Sequence, residues 1–526
     1  MRNSESLRLT AGDIEQIRAR GSTPERIRAQ IEMFHKGFPY TRLLRPCTVG
    51  DGIHMLHESD IRRLADVYSK ASLEGRAMKF VPASGAATRM LKALLSVHSQ
   101  CDTSEASKLF LDPGSSDHDV KACTRFILGI RQFAFSEDLK KVMARDGLNM
   151  ESLLSNGLYG DIITYALTAK GLNLADTPKG LIKFHRYTDV SRTSFEEHLV
   201  EGAAYVRDRT GRVRIHFTVS PEHEDAFRDH LGKVRKFYEK GGVTFDIQFS
   251  VQKPSTDTIA VDVNNSPFRD TEGGLVFRPG GHGSLLENLN ELKGDIIFVK
   301  NIDNVVPDRL KEQVYIYKKA LGGFLVELQD QIFSYLKRIL SGDDDERMLK
   351  EAIELSSEEL CSSPPERAES MTKKEMVDFL TSTLNRPLRV CGMVKNVGEP
   401  GGGPFWVEQR DKKPSLQIVE SSQVDMGSKD QERIWKSSTH FNPVDLVCGV
   451  CGVDGSPFDL RRFTDSGTGL ISTKSKDGRE LKALELPGLW NGAMANWITV
   501  FVEVPLATFA PVKTIVDLLR KEHQPS

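Results

Sequence analysis

A glycine-rich turn bearing one histidine, Pro279-Gly280-Gly281-His282-Gly283, leads through a short helix to an apolar strand over 295–299 that ends in Asn301-Ile302-Asp303-Asn304. A carboxylate at the carboxyl end of a strand stands where open α/β sheets bind ligands. Glycines let backbone amides approach a base or a phosphate closely, because no side chain intervenes. Together the two features predict a nucleotide and a divalent metal. Upstream, a short strand over 79–83 runs into Ser84-Gly85-Ala86-Ala87-Thr88-Arg89 and then a helix over 90–97. Strand, small-residue loop and helix form a phosphate-binding arrangement. Arg89 adds a guanidinium, which holds phosphate oxygens through two donors.

Positioning these residues requires a scaffold that alternates strands and helices. Strands are predicted over 181–184, 213–219 and 243–249, with helices over 194–206 and 221–239 between them, which argues for an α/β fold with a mostly parallel sheet. Residues 1–75 are expected to form a helical cap, in which Thr23-Pro24-Glu25 opens a helix whose apolar stripe is Ile27, Ile31 and Phe34. The nucleotide-binding core is expected over 76–340, interrupted by a helical insertion over about 90–177 and closed by a long helix over 307–340. A polar linker with a short helical stretch follows over 341–375. The remainder, 376–526, is strand-rich and is expected to end in a helix near 512–519.

The 71 basic and 73 acidic residues nearly cancel, giving a formal charge of -2 and no electrostatic case for nucleic acid or an anionic membrane. No run approaches the roughly 20 apolar residues that a spanning helix needs. The polar amino terminus is unlike a signal peptide, so a cytoplasmic location is the expectation. Seven cysteines, odd and sparse, fit a reducing compartment. Cys448-Gly449-Val450-Cys451 has half the ligands of a zinc site but no partner pair, and the acidic run 343–345 is expected to be solvated.

Read in order, the chain carries Thr88-Arg89, Pro178-Lys179-Gly180, Val219-Ser220-Pro221, Phe249 through Gln252 to Pro254, the Pro279 to Gly283 turn, and Asn301 to Asn304. After the linker come Leu416 to Gln423 with Glu420, then Phe441-Asn442, Phe501-Val502-Glu503-Val504 and Phe509-Ala510-Pro511-Val512-Lys513. This order resembles the UDP-sugar pyrophosphorylases, the uridylyltransferases that join UTP to glucose 1-phosphate or N-acetylhexosamine 1-phosphate. It spans about 79–518 apart from the insertion and linker, and the chain also resembles members of an uncharacterised bacterial family. Three departures stand out. The family's Gly-Gly-x-Gly reads Ser84-Gly85-Ala86-Ala87 here, 88 residues separate Arg89 from Pro178, and the family's Asn-x-Gly-Asn reads Asn442-Pro443-Val444-Asp445.

The resemblance implies a nucleotide-diphospho-sugar transferase fold, GT-A-like and Rossmann-like, with a mixed, mostly parallel sheet. It further implies Mg²⁺-dependent transfer of a uridylyl group from UTP to a sugar 1-phosphate, releasing pyrophosphate. On that basis Ser84, Gly85, Ala86 and Thr88 would cradle the nucleotide, Arg89 would hold its triphosphate, and Lys179 and Lys513 would neutralise the reacting phosphates. Gln252 and the backbone at Gly280 and Gly281 would read the base, while His282, Glu420 and Asn442 would contact the sugar phosphate. Asp303 would hold Mg²⁺; its alternative role is to cap the helix that starts near Pro307. Two rival functions remain: a glycosyltransferase using a nucleotide-sugar donor, and a nucleotide-binding protein without catalysis. Base, sugar and oligomeric state are left open.

Overall fold

The computed structural model describes residues 9–85, 87–100, 116–362, 371–398 and 401–525. The chain divides into two compact units that interleave along the sequence and do not follow the expected domain boundaries. One comprises residues 1–68, 252–298 and 320–504, and the other 69–251, 299–319 and 505–526. The chain passes between them inside the strand Ile296–Lys300 and again inside the helix Asp308–Leu340.

In the second unit the strands Ala77–Pro82, Arg212–Val219 and Thr244–Val251 pair in parallel. Helices Ser194–Tyr205 and Glu224–Tyr238 connect them, as the alternating pattern requires. The first of these helices begins with a capping box, in which Thr193 and Glu196 satisfy each other's backbone amides. Helices Lys92–Gln100, His118–Leu128, Ser136–Arg145, Met150–Ser155 and Tyr159–Leu167 occupy the predicted insertion. Their apolar faces share one core with Val512, Ile515, Val516 and Leu518 near the carboxyl terminus. Three of its phenylalanines, Phe126, Phe133 and Phe135, pack ring against ring.

In the first unit Gly52–His54, Ile498–Glu503 and Leu388–Lys395 run parallel, and Asp445–Gly449 pairs antiparallel to the last of these. Leu43–Pro46, Gly403–Glu408 and Pro414–Val419 form a separate antiparallel sheet of three, with Gly403–Glu408 in the middle. The helix Pro24–Lys36 buries the predicted stripe of Ile27, Ile31 and Phe34 against Ile259, Val261 and Leu484. The α/β class with mixed, mostly parallel strands is therefore the fold observed.

Several local expectations are corrected. The strand near 181–184 is Lys183–Arg186 and pairs antiparallel with Ser191–Thr193 in a ribbon of two. Its short connection cannot make a parallel crossover, which takes a dozen residues or more. The terminal helix near 512–519 is a 3-10 turn, Ile515–Leu519. Val512, Thr514, Ile515 and Val516 are β-branched and crowd an α-helix, and Asp517 instead ties the turn's start. The amino-terminal cap is not wholly helical, because Leu43–Pro46, Thr48–Val49 and Gly52–His54 are strands around the positive-φ Gly50 and Gly52. Among the described residues no helix is long and apolar enough to cross a membrane, and no group of three or more His, Cys, Asp or Glu side chains could hold a metal ion. The acidic run faces solvent as expected, with Asp344 and Asp345 exposed; Asp343 pairs with Arg338 at 2.7 Å, and Asp345 caps the helix Glu346–Glu358.

Candidate active site

Three chain segments of the second unit converge after the strand Ala77–Pro82. Ile302 donates its amide to the Pro82 carbonyl at 3.2 Å, and the Asp303 carbonyl accepts from Val512 at 3.1 Å. Asn304 Oδ1 accepts from the Ala510 amide at 3.1 Å, fixing the far side of the same turn. Lys179 opens the 3-10 turn Lys179–Leu181, and its neighbour Gly180 lies where a Cβ would meet Phe227 at 2.6 Å and Ile302 at 3.3 Å. Lys513 is held by its backbone, because Asp517 Oδ2 accepts from the amides of Lys513 and Thr514 at 2.8 and 2.6 Å.

These anchors bring three side chains to one point. Lys179 Nζ lies 2.6 Å and Lys513 Nζ 3.2 Å from the same oxygen, Asp303 Oδ2. The pairs are not equivalent: side-chain exposure is 11% for Lys179, 10% for Asp303 and 50% for Lys513. Burial opposes ionisation of Asp303, but the two ammonium groups more than offset it and hold the carboxyl below its ordinary range. Burial draws the Lys179 pKa downward, with Asp303 acting against that shift. Two cations against one carboxylate leave an excess positive charge, suited to an anion. The helix-capping alternative for Asp303 is not what the structure shows, since its engaged oxygen faces lysines.

Asp303 Oδ1 is buried and has no hydrogen-bond partner. Magnesium takes one or two carboxylates and completes its shell with water and substrate phosphates, so a single uncommitted carboxylate oxygen beside two ammonium groups that suit an anion fits it.

The loop expected to cradle the nucleotide is tied at one end to the strand Arg212–Val219 and at the other to the segment that carries Lys513. Ala83 donates to the Thr218 carbonyl at 2.8 Å, and the Met90 carbonyl accepts from Ile515 at 2.9 Å, two residues beyond Lys513. Ser84 is half-buried, whereas Gly85, Thr88 and Arg89 are exposed; Ala86 lies outside the described residues. Arg89 does not join the cluster on Asp303.

The remaining expected residues belong to the first unit. Leu489 donates its amide to His282 Nδ1 at 3.1 Å, so the neutral ring carries its proton on Nε2, which lies 4.0 Å from Glu420 Oε1. The imidazole stacks on Trp490 with centroids 4.2 Å apart, and burial lowers its pKa to about 4. Burial raises the Glu420 pKa, and the charge of Glu485 adds to this. Gly281 takes a φ of +73°, and a Cβ at Gly283 would strike the Pro487 carbonyl at 2.2 Å. The turn's glycines thus serve its own packing against 485–490. Gln252 donates to Asp257 at 3.4 Å. Asn442 Oδ1 accepts from the Val444 amide at 3.1 Å, and Val444 keeps a φ of +56° at the position where the resembled motif has glycine.

Sequence reasoning missed the buried charges behind Asp303. Glu201 bridges Lys79 and Lys300, each at 2.8 Å, and all three side chains are fully buried. Burial lowers the Lys79 pKa to about 8 against the pull of Glu201. His198, on the same helix as Glu201, hydrogen-bonds the Ile302 carbonyl through Nε2 at 3.2 Å. A second network joins Glu197 to His185 at 2.9 Å, to Tyr187 at 2.6 Å and to Lys311, and His185 in turn meets His523 at 2.9 Å. The available signal was a lysine inside each of two apolar strands, since lysine is almost never fully buried without a partner.

A family model described as Domain of unknown function (DUF4301) matches residues 10–524. No curated protein matches the sequence. Among solved structures, the UDP-N-acetylglucosamine pyrophosphorylase from Trypanosoma brucei in complex with an inhibitor is similar, with a TM-score of 0.47 at 12% identity, covering 97% of this chain and 82% of that one. A mutant UDP-glucose pyrophosphorylase from Leishmania major gives a TM-score of 0.45 at 13% identity, covering 97% and 79%. A putative UDP-N-acetylglucosamine pyrophosphorylase from Entamoeba histolytica gives 0.42 at 11% identity, covering 89% and 82%.

Proposed function

The chain belongs to the family described as Domain of unknown function (DUF4301), and we propose that it is a nucleotidyltransferase that transfers a uridylyl group from UTP to a sugar 1-phosphate with Mg²⁺, giving a UDP-sugar and pyrophosphate. The observation that carries this reading is the meeting of Lys179 and Lys513 on Asp303, from positions 124 and 210 residues away in sequence. The order of motifs from Thr88-Arg89 to Lys513 supports it.

In this reaction an oxygen of the sugar phosphate attacks the α-phosphorus of UTP, the bond from that phosphorus to the bridging oxygen breaks, and pyrophosphate leaves. The nucleophile is already anionic, so no side chain need remove a proton. The barrier is mutual repulsion of phosphates and their alignment, which cations relieve. Lys179, buried and fixed by Gly180 packing, would present a preorganised ammonium to the reacting phosphates. Lys513, half exposed, would turn from Asp303 to the incoming sugar phosphate. Arg89 would hold the β- and γ-phosphates. Asp303 would hold Mg²⁺, which would supply further neutralisation of phosphate charge.

Pyrophosphate release with Mg²⁺ across a panel of nucleoside triphosphates and sugar 1-phosphates tests the reading. Turnover is expected with UTP and at least one sugar, falling roughly 10²–10³-fold in Lys179→Ala and in Asp303→Ala. Thermal stabilisation by UTP without turnover on any pair would instead make the chain a silent nucleotide binder. Turnover indifferent to both substitutions would place the chemistry elsewhere.

A further inference from the structure

A cavity of about 560 Å³ lies in the first unit, beside the amino-terminal ends of the strands Pro414–Val419 and Ile498–Glu503. Its size falls within the 300–1,000 Å³ range typical of small-molecule sites. Glu420 and His282 belong to the other end of the 414–419 strand. Ser415 in the cavity wall and Glu420 are separated by five positions of extended chain, about 16 Å at roughly 3.3 Å per residue. The cavity is therefore not part of the sites described above.

Its wall is rich in donors. Arg386 and Lys413 line it with the amides of Gln409 and Asn496. Asp465 also lines it but is paired with Arg410 at 2.8 Å, leaving Asp411 as the opposing wall carboxylate. Trp497 lines the cavity and is buried, and its Nε1 has no acceptor. Thr499, also in the wall, accepts at 2.9 Å from Nε of Arg389, a fully buried guanidinium on the adjacent strand. Arg389 also donates to the Trp490 carbonyl at 2.6 Å, and its Nη2 has no acceptor. Only neutral oxygens accept from it among the described residues. A buried charge without a counter-ion is costly, and so is a buried donor left unmade. Both unsatisfied groups are donors, and of the two residues only Trp497 lines the cavity, so what the wall lacks is an acceptor, while Arg386 and Lys413 set its charge. Gln409 donates to the Ser415 hydroxyl and Ser382 donates to the Phe379 carbonyl at 2.9 Å, so the Gln409 side-chain carbonyl oxygen and the Asn496 amide are the groups that suit a ligand also carrying hydroxyls.

We propose that this cavity is a second small-molecule site, which takes a phosphorylated polyol with its phosphoryl group on Arg386 and Lys413 and its hydroxyls on Gln409 and Asn496. The inference does not rest on uridylyl transfer. Isothermal titration calorimetry of the full chain tests it with glucose 6-phosphate, ribose 5-phosphate and glycerol 3-phosphate, and with glucose and inorganic phosphate as separate arms. At least one organic phosphate is expected to bind more tightly than either separate arm. Affinity should weaken at least tenfold in Arg386→Gln and in Lys413→Gln, each checked for an unchanged melting temperature, and should persist in Lys179→Met. Two single variants keep the comparison readable if one of them fails to fold. Four outcomes would overturn the proposal: no binding of any organic phosphate, equal binding of inorganic phosphate, undiminished affinity in a folded variant, or loss of binding in Lys179→Met.

Discussion

The two oxygens of Asp303 have different surroundings: Oδ2 receives two ammonium groups, and Oδ1 receives none. Neutralising the carboxyl strands the buried Lys179 charge. Asp303→Asn should therefore cost stability, toward the low end of the about 3–5 kcal/mol seen when one partner of a buried pair is removed, because Lys513 reaches water. Lys513→Met should behave differently. A half-exposed ion pair contributes about 0–1 kcal/mol, so its melting temperature should scarcely move while turnover falls by an order of magnitude or more. Equal losses of stability and activity in the two variants would mean that the lysines serve folding alone. At His282, the Leu489 amide occupies Nδ1 and burial disfavours the cation. Nuclear magnetic resonance should find this ring titrating near pH 4; titration near 6.5 would show an open, solvated ring. Lys179, Asp303 and Lys513 could be singled out in the sequence because several weak motifs occur in a known order, and the structure brings the three side chains together. Glu201, Lys79 and Lys300 were not, because a charge buried by long-range pairing has no local pattern that names its partner.

Among the elements, the strands over 77–82, 212–219 and 244–251 were legible from their alternation with amphipathic helices. The ribbon at 183–193 was not, because only the length of its connection distinguishes it from a parallel strand. The helical insertion was legible as helices, but its packing partner was not. That partner is the segment carrying Lys513: Val512 and Ile515 lie in the same apolar core as Phe126 and Phe133. Ile515→Ala should therefore act twice. Emptying this buried site should cost about 2–5 kcal/mol, measured by urea unfolding. It should also lower turnover at temperatures where the protein stays folded, because the turn that orients Lys513 loses its anchor. Full activity in the folded variant would show that the insertion does not support the site.

For the whole molecule, the sequence supplied the α/β class but not the division into units, because both units are assembled from distant segments and composition marks only the polar linker. The charge networks set an expectation for acid. Burial holds His282 and His523 neutral, with folded pKa values near 4 and near 3. The unfolded histidines take up protons below about pH 6.5, so the unfolded state binds more protons and stability falls as the pH drops from there. Glu197, Glu201 and Asp303 are held below their ordinary range in the fold, so their contribution is lost in turn as the pH falls past about 4 toward their folded values. The melting temperature should decline steadily from pH 7 to pH 4 and more steeply below; a flat profile would contradict these burials. A crystal structure with Mg²⁺ and a non-hydrolysable UTP analogue would decide whether Lys179, Lys513 and Asp303 receive the triphosphate. Lys179 Nζ is expected within hydrogen-bonding distance of a phosphate oxygen, and Asp303 is expected to coordinate the metal at about 2.0–2.1 Å. A nucleotide bound elsewhere, with both lysines still on Asp303 Oδ2, would contradict it.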